Sequence, residues 1–415
     1  MKDISILLIL LGLAGAAWWR PWLGVLGLAV LSYMHPQGYA TGFMRNAPIY
    51  LSLFVWVSLS VVYRLWRDKA WATLPWQRLL DWRLYGLLGL WVWFGVTSYF
   101  SVAPWEAWDK YHDVLKILPP MVLALLLIDT REKLYYLLVA IALSILLVAL
   151  KGGYWAVLSG FQDRVYGPPG SQYGGNNEFA VAVAMAIPLM LLWLRETRDR
   201  GLRIVLLVGI ALSYASVVSS WSRGGMLALG AMTLLLVLHS RRKLLAIPLL
   251  IALAAVLFVQ LPEQWFGRME TVAAYQADES AQGRMDAWRV GIDFAARNPV
   301  TGGGFNAWPA LTLSSASGLD WHSAYVEMLA EHGYVGLLLW AGLLSATLLS
   351  LSRGGRNRPD WQRDYAAMLQ ASLLAYLVGG ATLGIAYWEL PYHLVALAAL
   401  LAGLSPTHRN RIGAG

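Results

Sequence analysis

Long apolar runs alternate along the chain with shorter polar stretches. The runs fall near residues 4–18, 21–34, 47–63, 84–100, 114–128, 134–158, 178–194, 202–219, 225–239, 244–260, 323–351, 364–383 and 386–404. Most reach the roughly 17 to 25 residues that a helix needs to cross a bilayer. The first two are short, and the one that opens at Ser323 is long. The pattern predicts an all-α polytopic membrane protein of about 12 transmembrane helices. One polar interval stands apart by its length, 262–322. Within it, Met285, Trp288, Ile292 and Ala295 recur at helical spacing until Asn298-Pro299 stops the pattern. The expected organisation is one transmembrane domain over residues 1–415, with 262–322 as a partly helical loop capping one face.

Composition fixes the solvent. With 58% hydrophobic and 13% charged residues, and a mean hydropathy of +0.53, there is too little polar surface to cover a soluble body of this length. The 22 Trp and 20 Tyr suit the two bilayer interfaces. Cysteine is absent, which removes disulfides, thiolate nucleophiles and thiolate metal sites. The run from Ile4 continues with little break to about Tyr33, unlike a cleavable signal.

The formal charge of +8 reads first as a topology signal and not as an affinity for nucleic acid. Basic clusters occur at Arg64–Arg83, Arg131 and Lys133, Arg195–Arg203, Arg241–Lys243, Arg353–Arg363, and Arg409 and Arg411. They occupy every second loop, as cytoplasmic loops do. The loops 101–113, 159–177, 220–224 and 262–322 are then expected to face outward. Whether the N-terminus lies inside or outside depends on whether the first two runs count as one span or two.

An enzyme on the outer face has no ATP or nucleotide-sugar pool, so its substrates must arrive already energised in the membrane. Lipid diphosphates meet that condition. The outer cations are Lys116, Arg164, Arg223, Arg268, Arg284 and Arg289. Arginine carries a planar fork of donors matched to phosphate oxygens and keeps its charge near low dielectric. Arg223, in Ser222-Arg223-Gly224-Gly225 at the mouth of two spans, is the sharpest candidate; its structural alternative is a snorkelling side chain. Arg284 and Arg289 lie five residues apart, about 140° around an ideal helix.

His322 stands where the long loop meets a span. A neutral imidazole there could take a proton from a hydroxyl, and nearby arginines would keep it neutral; the alternative is a histidine that caps the helix with Ser323. Gly302-Gly303-Gly304 could cradle phosphate or make a turn that needs positive φ. Asn177, in Gly174-Gly175-Asn176-Asn177-Glu178, could meet sugar hydroxyls or cap the following helix. No His-Glu-x-x-His, P-loop, outer Asp-x-Asp or Gly-x-Ser-x-Gly motif occurs, so neither a metal nor another cofactor is expected. A transporter would be expected to show ionisable residues at mid-span depth and paired broken helices; the chain has few of the former and no paired broken helices in its pattern.

Taken in order, Gly175-Asn176-Asn177, Ser222-Arg223-Gly224-Gly225, Gly283-Arg284 with Trp288, Asn298-Pro299 with Gly302 and Gly304, His322-Ser323-Ala324-Tyr325, and Glu331-His332-Gly333-Tyr334-Val335-Gly336 together resemble the O-antigen ligase and polymerase superfamily. The similarity is best between about 165 and 340. The resemblance implies a GT-C-like glycosyltransferase of the bacterial inner membrane with a periplasmic active site. In the ligase branch, it implies metal-independent, inverting transfer of an O-antigen glycan from undecaprenyl diphosphate to lipid A-core, completing lipopolysaccharide. It further implies His322 as the base on the acceptor hydroxyl and Arg223 and Arg284 on the diphosphate. Arg289, Asn177, Arg164, Lys116 and Trp288 follow as substrate-binding candidates. Ser323 follows His322 where many relatives carry Asn. Polymerase and protein O-oligosaccharyltransferase activities share the donor and differ in the acceptor.

Overall fold

The computed structural model describes residues 2–69, 71–240, 243–270, 279–312, 320–353 and 358–404, with backbone alone at 245, 246, 268–270, 279–281 and 312. Arg241, Arg242, Arg356, Arg409 and Arg411, and the Arg268 side chain, fall outside this description. The described residues contain no strand. The helices are α1 Lys2–Trp19, α2 Pro21–Met34, α3 Ile49–Arg67, α4 Trp82–Tyr99, α5 Pro104–Leu115, α6 Leu118–Leu127, α7 Arg131–Leu158, α8 Asn176–Glu196 and α9 Arg200–Val218. They continue with α10 Arg223–His239, α11 Lys243–Gln260, α12 Glu263–Glu270, α13 Glu279–Arg297, α14 Ala307–Thr312, α15 Ala324–Ser352, α16 Asp360–Gly379 and α17 Glu389–Gly403.

Among the described residues, six helices (α1, α3, α7, α8, α9 and α15) are long and apolar enough to cross a membrane, and α2, α10, α11 and α17 are shorter apolar helices. The chain is thus a polytopic helical membrane protein. Two apolar runs fold differently from a plain span. The run 114–128 is divided between α5 and the ten-residue α6, because Pro119 and Pro120 lack the N–H that a helix interior needs and force a new start. The run from Ser323 forms α15, which breaks at Gly333 (φ 68, ψ −174). The first two runs are separate helices, α1 and α2, packed together with Arg20 between them.

The core is built on α8. Nearly every residue from Phe179 to Met190 is buried, and α7, α9, α10 and α16 pack around it. A helix apolar on all sides can be satisfied only in such a position. The opposite end of the bundle from His322 is fastened by charge. Arg131 pairs with Glu196 at 2.7 Å, Arg195 with Asp364 at 3.4 Å, and the buried Arg83 with Asp81 at 2.8 Å while donating to Ser350 at 2.7 Å. These bonds join α4, α7, α8, α15 and α16. At the His322 end, backbone and amide bonds do the joining: Ala324 N–H to Gly380 O (2.7 Å), Val165 N–H to Ser219 O (3.0 Å) and Asn176 Nδ2 to Ser220 O (2.8 Å). Asp3 accepts from the Gly42 and Met44 N–H groups in the loop after α2, so α1 begins at this same end.

Candidate active site

His322 sits at φ 50, half-buried, one residue before the cap of α15. The cap itself is Ser323, whose hydroxyl accepts from the Val326 N–H, so His322 is not spent on capping. Positive φ is costly for a non-glycine residue and persists only where neighbours impose it. The neighbour here is Trp321. Its ring is fully buried against Trp308 (4.8 Å between centroids), its indole N–H donates to Glu331 Oε1 at 3.1 Å, and its backbone N–H donates to Asp320 Oδ1 at 2.7 Å. The Trp321 carbonyl accepts from the Trp288 indole at 2.9 Å. Trp288 is therefore a brace of the His322 backbone, and it draws α13 onto the histidine.

Arg284 lies one helical turn before Trp288 on α13, half-buried. Burial, and then the Arg284 cation, push the His322 imidazole below its usual pKa, while Asp320 pulls partly the other way. The result is a neutral imidazole near neutral pH, able to accept a proton.

The glycine triplet is structural. Breaking α15 at Gly333 frees the carbonyls of Ala330 and Glu331, and the N–H groups of Gly303 and Gly304 fill them at 2.9 and 2.7 Å. The Gly302 N–H goes to Asn298 O, and the Tyr334 N–H to Pro299 O. At Gly302 (φ +61) a Cβ would stand 2.6 Å from the Ala330 carbonyl oxygen, so only glycine allows this docking. The N–H groups of the triplet are occupied by protein and do not form a phosphate cradle.

Behind this break lies a buried polar network without a counterpart in the sequence-derived site. His332, fully buried, meets Thr97 Oγ1 at 2.6 Å and Tyr387 Oη at 2.9 Å, and its carbonyl accepts from the Trp93 indole at 3.0 Å. Tyr387 donates to Glu331 Oε2 at 2.6 Å, and Glu327 accepts from the Ala386 N–H at 3.0 Å. The Lys110 ammonium lies 5.8 Å from the Tyr387 ring. Burial, reinforced by the Glu331 and Glu327 charges, keeps the Tyr387 hydroxyl protonated and therefore a donor. The signal available in sequence was Glu331-His332 inside an apolar run, where ionisable groups mark function or obligatory pairing.

Arg223 is the first residue of α10. The turn before it places Trp221 at φ 57, and Ser222 caps the helix by accepting from the Gly225 N–H at 3.0 Å. The N-terminus of α10 presents the positive end of its dipole beside the Arg223 guanidinium, a combination that favours an anion. The segment 380–384 brings this turn and His322 onto a common strip. Gly224 abuts Thr382, Gly384 faces the Asp320 carboxylate, and Gly380 holds Ala324. Asn177 lies half-buried beside the same turn, in the first turn of α8; the α8 cap is Gly175, with no side-chain bond, and Asn176 ties the turn through Ser220.

The remaining candidates lie outside this cluster. Arg289 is 73% exposed and pairs with Asp286 on its own helix; Lys116 is 71% exposed and pairs with Asp113. Arg164 is exposed and stacks on Trp221 at 5.5 Å, one residue from the α10 cap.

Residues 206–341 match the family model described as O-antigen ligase. That stretch, about a third of the chain, is similar to the O-antigen ligase family. Residues 1–199 match a second model, described as a family of unknown function. No curated protein matches the chain. The O-antigen ligase segment contains Arg223, Arg284, Trp288, the glycine triplet, His322 and the break at Gly333. Three groups that support it, Thr97, Thr382 and Tyr387, come from outside the segment.

Proposed function

We propose that the protein is an O-antigen ligase that transfers a glycan from undecaprenyl diphosphate to a sugar hydroxyl of lipid A-core, at the periplasmic face of the bacterial inner membrane. The observation that carries this reading is the meeting, on one strip of backbone, of a neutral histidine held at positive φ beside Arg284 and an α10 N-terminus that begins with Arg223. His322 takes the proton of the attacking hydroxyl. The new bond forms at the anomeric carbon as the bond to the diphosphate oxygen breaks on the opposite side, so the configuration inverts. Arg223, Arg284 and the α10 dipole stabilise the charge that collects on the leaving diphosphate, the task a divalent cation performs elsewhere. Asn177 is the candidate for glycan hydroxyls. Arg164, Arg289 and Lys116 are given the outer role of attracting an anionic lipid.

An apolar groove of about 560 Å³ between α10 and α11, lined by residues such as Met226, Leu229, Leu257 and Trp265, runs from the Arg223 end along the bundle and suits a prenyl chain. The basic clusters at the far end favour a cytoplasmic assignment there and a periplasmic one for His322. Counting α2, α4, α10, α11, α16 and α17 with the six helices long and apolar enough to span gives about 12 crossings of a GT-C-like scaffold. On this reading, 262–322 caps the site through α13.

The test is transfer by the purified full chain with a lipid-diphosphate glycan, offered lipid A-core, a second lipid-diphosphate glycan or a protein acceptor, with and without chelator. Product on lipid A-core in the presence of chelator is expected. Transfer confined to the second glycan would make the protein a polymerase, and transfer confined to protein an O-oligosaccharyltransferase.

A further inference from the structure

A polar cavity of about 230 Å³, separate from the apolar groove, lies between the end of α2, the loop 167–175 and the start of α17. Its walls combine the rings of Tyr50, Tyr173 and Trp388 with the polar groups of Gln37, Gln172 and Glu389. Two of these groups are buried and unsatisfied: Gln37 Oε1 and the Tyr173 hydroxyl have no hydrogen-bond partner among the described residues. Leaving such groups unpaired costs about 1–3 kcal/mol each, so their retention calls for an explanation. Glu389 is held in place, since Ser32 donates to its carboxylate and its own N–H donates to Gln172 Oε1 at 3.1 Å. Among the described residues no lysine or arginine lines the cavity, and burial pushes the pKa of His35, which does line it, below its usual value.

The chemistry of this lining narrows its ligand. An anion would meet Glu389 with no cation to balance it. A hydrocarbon would leave the amides and the carboxylate unpaired. A pyranose ring satisfies both kinds of wall, with apolar C–H faces for the aromatic rings and a rim of hydroxyls that donate and accept. The volume equals that of about seven or eight waters, enough for one sugar ring. Position supports the same ligand. Trp388 adjoins Tyr387, which bonds to Glu331, and Tyr173 leads into the first turn of α8 beside Arg223.

We propose that this cavity binds one neutral pyranose unit of the glycan substrate, away from the reacting carbon, and so contributes to glycan selection. The assignment rests on the glycan-transfer reading. It also gives a role to the N-terminal part of the chain, which supplies Gln37, Tyr50, Gln172 and Tyr173 and matches the family of unknown function.

The experiment measures binding of methyl glucoside, methyl galactoside and methyl N-acetylglucosaminide to the full chain in nanodiscs, by saturation-transfer NMR, for wild type, Tyr173→Phe and Gln37→Leu. Both variants remove a group without a partner among the described residues, so thermal stability should hold or rise while binding of the preferred glycoside weakens about three- to tenfold, the worth of one hydrogen bond. Absence of binding by any of the three glycosides to wild type, or unchanged binding in both variants, overturns the proposal. Glycoside binding that depends on Tyr173 in a protein that transfers no glycan would sink the ligase reading and leave the cavity assignment standing. Transfer with binding unchanged in both variants does the reverse.

Discussion

The two ends of this bundle use charge in opposite ways. At the far end, arginines meet carboxylates and carbonyls from neighbouring helices: Arg131 with Glu196, Arg195 with Asp364, Arg83 with Asp81 and Ser350. Charge there fastens helices together. At the His322 end, the buried carboxylates of Glu331 and Glu327 meet indole, phenol and backbone donors, while the ion pairs Arg289–Asp286 and Lys116–Asp113 are local and exposed. Backbone strain divides the same way. His35, Phe161, Trp221, Asn306 and His322 take positive φ at the His322 end, against Lys69 at the other, among the described residues. Charge alone therefore does not mark the site. On the proposed reading, charge combined with strain and a buried polar support does.

The largest effect that would break this comparison is at His322. His322→Asn keeps a residue at ease with positive φ, and it should lower transfer by about 10²–10⁴-fold with little change in melting temperature. Near-normal transfer would return His322 to a purely structural role. Next, Arg223→Lys keeps the charge and loses the fork. A loss of about 1.5–3 kcal/mol, or about 10- to 150-fold in rate, is expected in a reconstituted assay. Full retention would favour a snorkelling arginine.

Smaller again is a change in the support. Gly302→Ala would clash with the Ala330 carbonyl at positive φ, so thermal or denaturant unfolding should show about 1–3 kcal/mol of lost stability, felt at the α13–α15 contact. Indifference to this substitution would mean that the glycine docking is not what holds α15 broken. The smallest effect is expected at Lys116→Ala and Arg289→Ala. Both residues sit in exposed pairs worth about 0.2–1 kcal/mol, so stability should barely move, and any change in rate should fade as salt is raised. A large, salt-independent loss would bring them into the pocket.

Much of this was legible in the sequence, for definite reasons. Apolar runs announce helices because a bilayer admits little else. Arg223, Arg284 and His322 stood out because ionisable groups are scarce in such a chain. What the sequence could not reveal depended on contacts between distant segments. The glycine triplet is equally consistent with a phosphate cradle until Gly303 and Gly304 are seen bonded to Ala330 and Glu331. Trp288 looks like a ligand-facing aromatic until its N–H is found on the Trp321 carbonyl. Glu331 and His332 were visible as polar residues in an apolar run, but their partners Thr97 and Tyr387 lie 235 and 55 positions from His332. The split of the run 114–128 could have been inferred from Pro119-Pro120.

The central claim is that His322 works as a neutral base whose proton affinity is set by burial and Arg284 and opposed by Asp320. The most direct measurement is the pH dependence of kcat/KM for transfer, which reports groups of the free enzyme. Because the imidazole is depressed, the active form is present above its pKa and is lost as pH falls through it, so the wild-type acid limb should lie below about 6.5. Arg284→Gln removes a lowering influence and should move that limb up; Asp320→Asn removes a raising one and should move it down. An acid limb that stays fixed in both variants, or shifts with the opposite signs, would contradict the account.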